Sequence, residues 1–300
     1  MGTAPFVTVD VFTDRPFGGN PLAVFPDARG LTEGEMQALA AELNLSETTF
    51  VLPPEHPGST ARVRIFNRTA EMPFAGHPMV GTGFVLADRS RDGLLRFEVP
   101  AGLVDVQVDH DARGAATGAT IAAPQPLRIG GALPPGLVAE CAGISPDGIV
   151  TVRHPPTLAS DGGNPRVLVE VTEAALAAAT PDLAAFRRAV AATPELGGLL
   201  SLYLYRRDGS RLRTRMFSPL TGTWEDPATG SAATPLAGFL LHRSGAISGA
   251  WEILQGVEMG RPSLLRTTAQ RTPDGIRARV GGGCVRVLQG HAMLPDKPGP

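Results

Sequence analysis

Two short stretches carry side chains able to hold an anion or move a proton. Residues 225–232, EDPATGSA, set Glu225 and Asp226 side by side before Pro227, then open a small-residue helix at Thr229-Gly230-Ser231. Residues 71–78, EMPFAGHP, set Glu71 before Pro73 and open a second such helix at Gly76-His77-Pro78. A helix start has unsatisfied N–H groups and the positive end of a dipole. Glycine there lets a ligand approach the backbone, so both positions suit an anion. The bland alternatives are a cap for Asp226 and a first-turn serine for Ser231. Laid over each other without a gap, 71–87 and 225–241 match Glu71 with Glu225, Pro73 with Pro227, Gly76 with Gly230, His77 with Ser231 and Leu86 with Leu240. Short small-residue segments can match by chance. A true duplication predicts two similar lobes, each presenting a helix N-terminus. Two such ends facing each other across a cleft would grip a small carboxylate.

Glu47, in NLSETTF, is a third candidate. It follows a helix end and opens an apolar strand. Exposed, it is an ordinary strand-start glutamate. Buried, its pKa would rise toward neutrality, as general acid–base catalysis requires. A lone histidine such as His77 is more often structural, but it shares its place in the repeat with Ser231. Other chemistries find less support. Ser231 lies outside a Gly-x-Ser-x-Gly elbow, which weakens a hydrolase. GHPMVGTG (76–83) has the glycine spacing of a phosphate loop without its lysine, and no Gly-x-Gly-x-x-Gly opens a βαβ unit.

Composition narrows the classes further. Lys297, in the tail DKPGP, is the only lysine, which disfavours pyridoxal-phosphate and Schiff-base chemistry. The two cysteines, Cys141 and Cys284, are too few for a disulfide scaffold or a zinc site and read as small apolar residues. No two of the six histidines have His-x-x-x-His spacing, so no metal is expected. A net charge of −2 without a basic run argues against nucleic acid. No apolar run reaches the roughly 18 residues of a membrane span. The N-terminus lacks a signal-peptide pattern, so a cytoplasmic protein is expected.

The elements that must position these groups follow from periodicity. VTVDVFT (7–13), LAVFP (22–26), TTFVLP (48–53) and ARVRIFN (61–67) predict strands. LTEGEMQALAAEL (31–43) has a helical apolar face, with Thr32 as N-cap and Glu35 as its capping-box partner, and Asn44-Leu45-Ser46 ends it. LLRFEVP and LVDVQVD predict further strands. The chain then loosens at HDARGAATGA, where a boundary is expected. Residues 1–115, joined by the last strands near 284–294, would form one lobe and 116–283 the other. In the second half, 183–192 predicts a helix, and 199–205 and 211–217 predict strands. The Gly/Pro-rich 130–136 and 155–165 predict loops, and 276–280 and 284–288 two closing strands.

In order, and over about residues 10–265, DVFTDRPFGGNPLAVF, LSETTFVLP, RVRIFNRTAEMPFAGHPMVGT, RTRMFSPLTGTWEDPATGSAA and QGVEMGRPS resemble the PhzF-type isomerases of phenazine biosynthesis. The resemblance implies an α+β, diaminopimelate epimerase-like fold. In that fold two similar lobes, each a β-barrel-like sheet around a central helix, hold the active site in the cleft between them. It implies catalytic roles for Glu47, Asp226 and His77. It also implies that Ser231, Gly76, Gly230 and Ser46 offer hydroxyl or backbone donors to a substrate carboxylate. Epimerases of this fold carry a cysteine at each helix start; here His77 and Ser231 stand there, against two-base thiol racemisation. The expected reaction is cofactor-free. Glu47 takes a proton from a small cyclic or unsaturated amino acid and returns it elsewhere on the π-system. The partners implied are a carboxylate-bearing small molecule and a second copy in a homodimer. The family's founding substrate is trans-2,3-dihydro-3-hydroxyanthranilate, and some relatives act on alkyl-proline precursors of antibiotics. An epimerase, or a non-catalytic carboxylate-binding protein of the same fold, is the alternative. Asn67-Arg68-Thr69 replaces a proline-containing turn, and Trp224 precedes Glu225, two departures that bear on substrate choice. Glu225 and Glu71 are left without a role.

Overall fold

The computed structural model describes residues 2–295, and Lys297 lies outside them. The alternating start is a strand, β1 (Thr3–Val11), with Val9 and Val11 wholly buried. It is followed by β2 (Asn20–Phe25), α1 (Glu33–Leu43), β3 (Glu47–Leu52), β4 (Ala61–Phe66), the short β5 (Glu71–Met72), α2 (Gly76–Val85), β6 (Leu94–Val99), β7 (Gly102–His110) and β8 (Ala116–Ala122). Next come β9 (Arg128–Ala132), α3 (Pro135–Ala142), β10 (Thr157–Ser160), β11 (Arg166–Glu170), α4 (Glu173–Ala178), α5 (Leu183–Ala192), β12 (Leu202–Asp208) and β13 (Arg211–Ser218). The short β14 (Thr223–Asp226), α6 (Gly230–Ser244), β15 (Ser248–Gln255), β16 (Ser263–Thr272) and β17 (Gly275–Met293) complete the chain. Two units result: residues up to Ala122 with those from Gly281 onward, and Ala123–Val280.

In the first unit, β2 pairs with β1, β1 with β17, β17 with β8, and β8 with β7. Pairing continues from β7 through β6, β4 and β3 back to β2, which closes an eight-stranded barrel. α2 fills it. Its residues from Gly76 to Gly83 are all buried, and their small size is what lets a helix fit. A Cβ on Gly81 would lie 2.6 Å from Leu22 Cδ2 and 2.8 Å from Val11 Cγ2.

The second unit repeats the plan. β2∥β3, β3/β4, β4∥β6 and β6/β7 correspond to β11∥β12, β12/β13, β13∥β15 and β15/β16, with the same parallel and antiparallel senses. A short strand pairs onto β4 and onto β13, each followed by a buried helix, α2 or α6. The aligned segments 71–87 and 225–241 thus occupy equivalent places. α3, α4 and α5 add a helical layer over a core that includes Val167, Val169, Phe186 and Phe217.

Several local expectations hold. Thr32 accepts from the Glu35 N–H, Glu35 accepts from the Thr32 N–H at 2.7 Å, and Asn44 closes α1 at φ 51°. Others need correction. The stretches 130–136 and 155–165 are not loops throughout: β9, β10 and the start of α3 lie in them, their strands short and rich in small residues. The two strands expected at 276–280 and 284–288 are one. The intervening Gly281-Gly282-Gly283 gives clearance, not a break: a Cβ on Gly281 would lie 2.1 Å from Thr120 Oγ1 and one on Gly283 2.7 Å from Thr13 O. The loosened HDARGAATGA is a tight turn closed by Asp111 and Ala115 between the paired β7 and β8. The chain therefore leaves the first unit at Ala122, seven residues beyond the expected 115, as β8 belongs to the barrel.

Candidate active site

In the first unit the candidates converge from three elements. The left-handed turn at Asn44 lets the chain pass from α1 directly into β3, so Ser46 and Glu47 stand at the strand's start. Parallel pairing sets Glu47 opposite Leu22, beside the start of β2, and α2 opens with Gly76 and His77. His77 is 6% exposed, and its Nε2 lies 3.5 Å from Glu47 Oε2, an atom closed to solvent. Behind the ring, Asn20 Nδ2 meets His77 Nδ1 at 3.4 Å, and Asn20 Oδ1 accepts from Ser46 Oγ at 3.2 Å. With the Asn20 amide placed so that its N–H faces Nδ1, that nitrogen is the acceptor and Nε2 faces the glutamate. Hydrogen bonds thus join Ser46, Asn20 and His77, and the far nitrogen of the ring stands 3.5 Å from the Glu47 carboxylate.

Asn20 is wholly buried and has no sign of its role in the sequence. Within PFGGNP it looks like turn chemistry. Its neighbour Gly19, at φ +62°, would place a Cβ 2.3 Å from Val11 O, so the loop lies flat on β1 and Asn20 turns inward.

In the second unit Asp226 ends β14, across from Met216. Its Oδ2 accepts a short hydrogen bond from the Thr229 hydroxyl. Gly230 opens α6 and Ser231 follows in its first turn. Ser231 Oγ accepts from Arg166 Nη2 at 3.3 Å, and Arg166 Nη1 donates to Ser201 Oγ at 3.0 Å. Arg166 is 8% exposed, so a nearly buried cation stands behind the helix start. A charged residue leading into VLVEV (167–171) is the only sign of this in the sequence. Asp161, 3% exposed, has an Oδ2 with no partner among the described residues. Burial pushes its carboxyl up to about 7, against the opposing pull of the Thr234 hydroxyl and of Arg166.

Both repeat helices lack a side-chain cap at the N-terminus, whereas α1, α4 and α5 are capped by Thr32, Thr172 and Asp182. First-turn N–H groups without a cap are those an anion can use. Glu71 and Glu225 now have a role. Glu225 holds Arg215 in a fork at 2.8 and 2.9 Å; Glu71 holds Arg64, one arm at 2.7 Å. Each guanidinium lies 5.0 Å above a phenylalanine ring, Phe66 or Phe217. The paired arginine and glutamate are a repeated strut that fixes the short strand leading to each helix. Arg215 Nη1 also donates to the carbonyls of Leu176 and Ala179 at 3.0 and 2.8 Å, at the end of α4.

Cys141 and Cys284 are buried, and burial raises both thiols, Cys141 to about 12. Neither stands at a helix start. Asn67 Oδ1 accepts from the N–H groups of Thr69 and Ala70, each at 2.8 Å, which makes an Asx-type turn where a proline was expected. Trp224 is 52% exposed. Among the described residues no cluster of three or more His, Cys, Asp or Glu could hold a metal ion. None of their helices is long and apolar enough to cross a membrane.

The model of the phenazine biosynthesis-like proteins matches residues 9–290. The chain belongs to this family. It is 37% identical to a trans-2,3-dihydro-3-hydroxyanthranilate isomerase of Pseudomonas chlororaphis, over 96% of this chain and 99% of that one. The crystal structure of a PhzF-family phenazine biosynthesis protein from Bacillus anthracis superposes with a TM-score of 0.86 at 24% identity, covering 98% of this chain and all of the other. A hydroxyproline epimerase from Agrobacterium vitis shares the fold at a TM-score of 0.62 and 14% identity, over 98% and 93% of the two chains. This phenazine biosynthesis-like protein therefore has the diaminopimelate epimerase-like fold and is an isomerase.

Proposed function

We propose that this isomerase relocates a proton and a double bond in a small cyclic, unsaturated amino acid, with trans-2,3-dihydro-3-hydroxyanthranilate as the first substrate to consider. The carrying observation is the pair Glu47 and His77, 3.5 Å apart and turned away from solvent, with Asn20 setting the ring tautomer. His77 presents Nε2–H to Oε2 of Glu47. That leaves Oε1 to take a proton from an activated carbon, and the acid so formed returns it at another carbon of the π-system. A desolvated carboxylate is a stronger base than one in water, and in D₂O the Glu47 acid acquires solvent deuterium before it returns a proton.

The second unit's groups suit the substrate's polar substituents. Asp226 is a carboxylate for an amine or hydroxyl. Ser231, the uncapped start of α6 at Gly230 and the charge of Arg166 behind it suit a carboxylate. Gly76 and Ser46 serve the same purpose in the first unit. The reaction so described needs no cofactor, and a role in secondary-metabolite biosynthesis follows from the substrate. Kinetics of Glu47→Gln on trans-2,3-dihydro-3-hydroxyanthranilate test the reading. A kcat reduced by about 10²–10⁴ with the substrate still bound supports it; unchanged turnover contradicts it.

A further inference from the structure

Gln255, the last residue of β15, is wholly buried and bonds to both ends of the turn before α6, Asp226 and Thr229. Two backbone groups of single polarity fix its amide. The Thr229 N–H donates to Oε1 at 3.3 Å, and Nε2 donates to the Asp226 carbonyl at 2.7 Å. Turning the amide over would set N–H against N–H and oxygen against oxygen. Oε1 is further occupied by the hydroxyls of Tyr203 at 3.0 Å and Thr214 at 3.4 Å. The second Nε2 hydrogen goes to Thr229 Oγ1 at 3.0 Å. A hydroxyl has one proton, and this one is already approached by a donor. The Thr229 proton therefore goes to its other neighbour, Asp226 Oδ2. Thr229 is the N-cap residue of α6, yet its side chain makes no capping bond. It is turned to the carboxylate instead.

We propose that Gln255 is a positioning residue whose fixed amide imposes a one-way chain of donors, Gln255 to Thr229 to Asp226, so that Oδ2 only accepts. The inference rests on the functional reading of Asp226. A carboxylate at Asp226 keeps the Thr229 hydroxyl as a donor to Oδ2, a bond that an acid protonated on Oδ2 would lose. Tyr203 is the other titratable group on the network; burial raises its phenol, so it stays a donor. A glutamate at 255 would put an acceptor where Nε2 donates and draw the Thr229 proton away from Asp226. Thr229→Val would delete the link, whereas Thr229→Ser would keep it.

The test is a ¹³C titration of the Asp226 carboxyl in the full-length protein labelled at aspartate, its signal assigned with Asp226→Asn. The midpoint is expected to rise in both Thr229→Val and Gln255→Glu and to stay with the wild type in Thr229→Ser. On trans-2,3-dihydro-3-hydroxyanthranilate, kcat should fall by about 10- to 100-fold in the first two, with KM within about threefold, as loss of a charge-assisted hydrogen bond implies. An unmoved midpoint in folded Thr229→Val, or in Thr229→Ala should the valine not fold, overturns the inference. If Asp226→Asn itself turns over normally, the reading of Asp226 falls. If Asp226→Asn is inactive while the Thr229 variants match wild type, only the chain falls.

Discussion

Glu47 and His77 show what a one-dimensional reading can and cannot deliver. The glutamate stands out because a charge opens an apolar strand, and the histidine because a repeat marks its place. Asn20, which orients the histidine, is hidden in a glycine-rich stretch whose turn chemistry is the simpler explanation. Gln255 and Arg166 are hidden for a similar reason: a single polar residue at a strand end or entry gives no periodic signal, and its partners are 26 to 65 residues away in sequence. The motif QGVEMGRPS supports the resemblance but says nothing of which backbone groups its glutamine reads. Asp161 carries a residue-scale prediction. Burial holds its carboxyl at about 7, above the ordinary aspartate value of about 3.9, so the folded state binds the extra proton. Stability from this group is fully present below about pH 4, declines as pH rises, and is lost above about pH 7, a difference of roughly 4 kcal/mol. Denaturation at pH 5 and pH 8 should show this slope in the wild type, and Asp161→Asn should flatten it. An equal slope in the variant would assign the effect to other groups.

At the scale of elements, small residues make the barrel-filling helices possible. Gly81→Ala would force a methyl against Leu22 and Val11, and a loss of about 1–3 kcal/mol is expected. Gly34→Ala in α1, with nothing within 4 Å of the added carbon, should instead stabilise by up to about 1 kcal/mol. Denaturant midpoints of the two variants moving the same way would contradict this account of α2. The Arg215–Glu225 strut is a nearly buried ion pair, the arginine 7% and the glutamate side chain 13% exposed. Removing one partner strands the other's charge, so Glu225→Ala should cost about 3–5 kcal/mol and lower Tm well beyond a surface change. A glutamate beside a candidate acid looks functional in sequence; its partner, ten residues back, shows that it is a brace. α1 was legible to its caps, because capping chemistry is local. α3 and α4 were not, as short alanine- and glycine-rich helices have too few periodic positions to differ from loops.

At the scale of the whole molecule, the duplication was legible in one aligned pair of 17-residue segments, and it extends through four strand pairings in each unit. The rest of the repeat has diverged in sequence, since any apolar side chain of suitable size fills a sheet position. The route of the last strand was illegible for a different reason: three successive glycines read as a turn, and only the clearance at Thr120 and Thr13 shows a continuous strand. Each unit carries one buried thiol, Cys284 in the first and Cys141 in the second, both raised by burial. Single-thiol variants should therefore label with a disulfide reagent only as their own unit opens in denaturant. Rapid labelling of either in native buffer would contradict the burial described.

The central claim is that Glu47 moves a proton from carbon to carbon. Proton NMR of trans-2,3-dihydro-3-hydroxyanthranilate in D₂O with the wild type and with Glu47→Gln tests it most directly. The account predicts that the diene signals shift and one ring carbon gains deuterium with the wild type, while Glu47→Gln leaves the spectrum unchanged. Equal conversion by the two proteins would contradict it, and so would a wild type that leaves the diene intact and exchanges no carbon-bound proton.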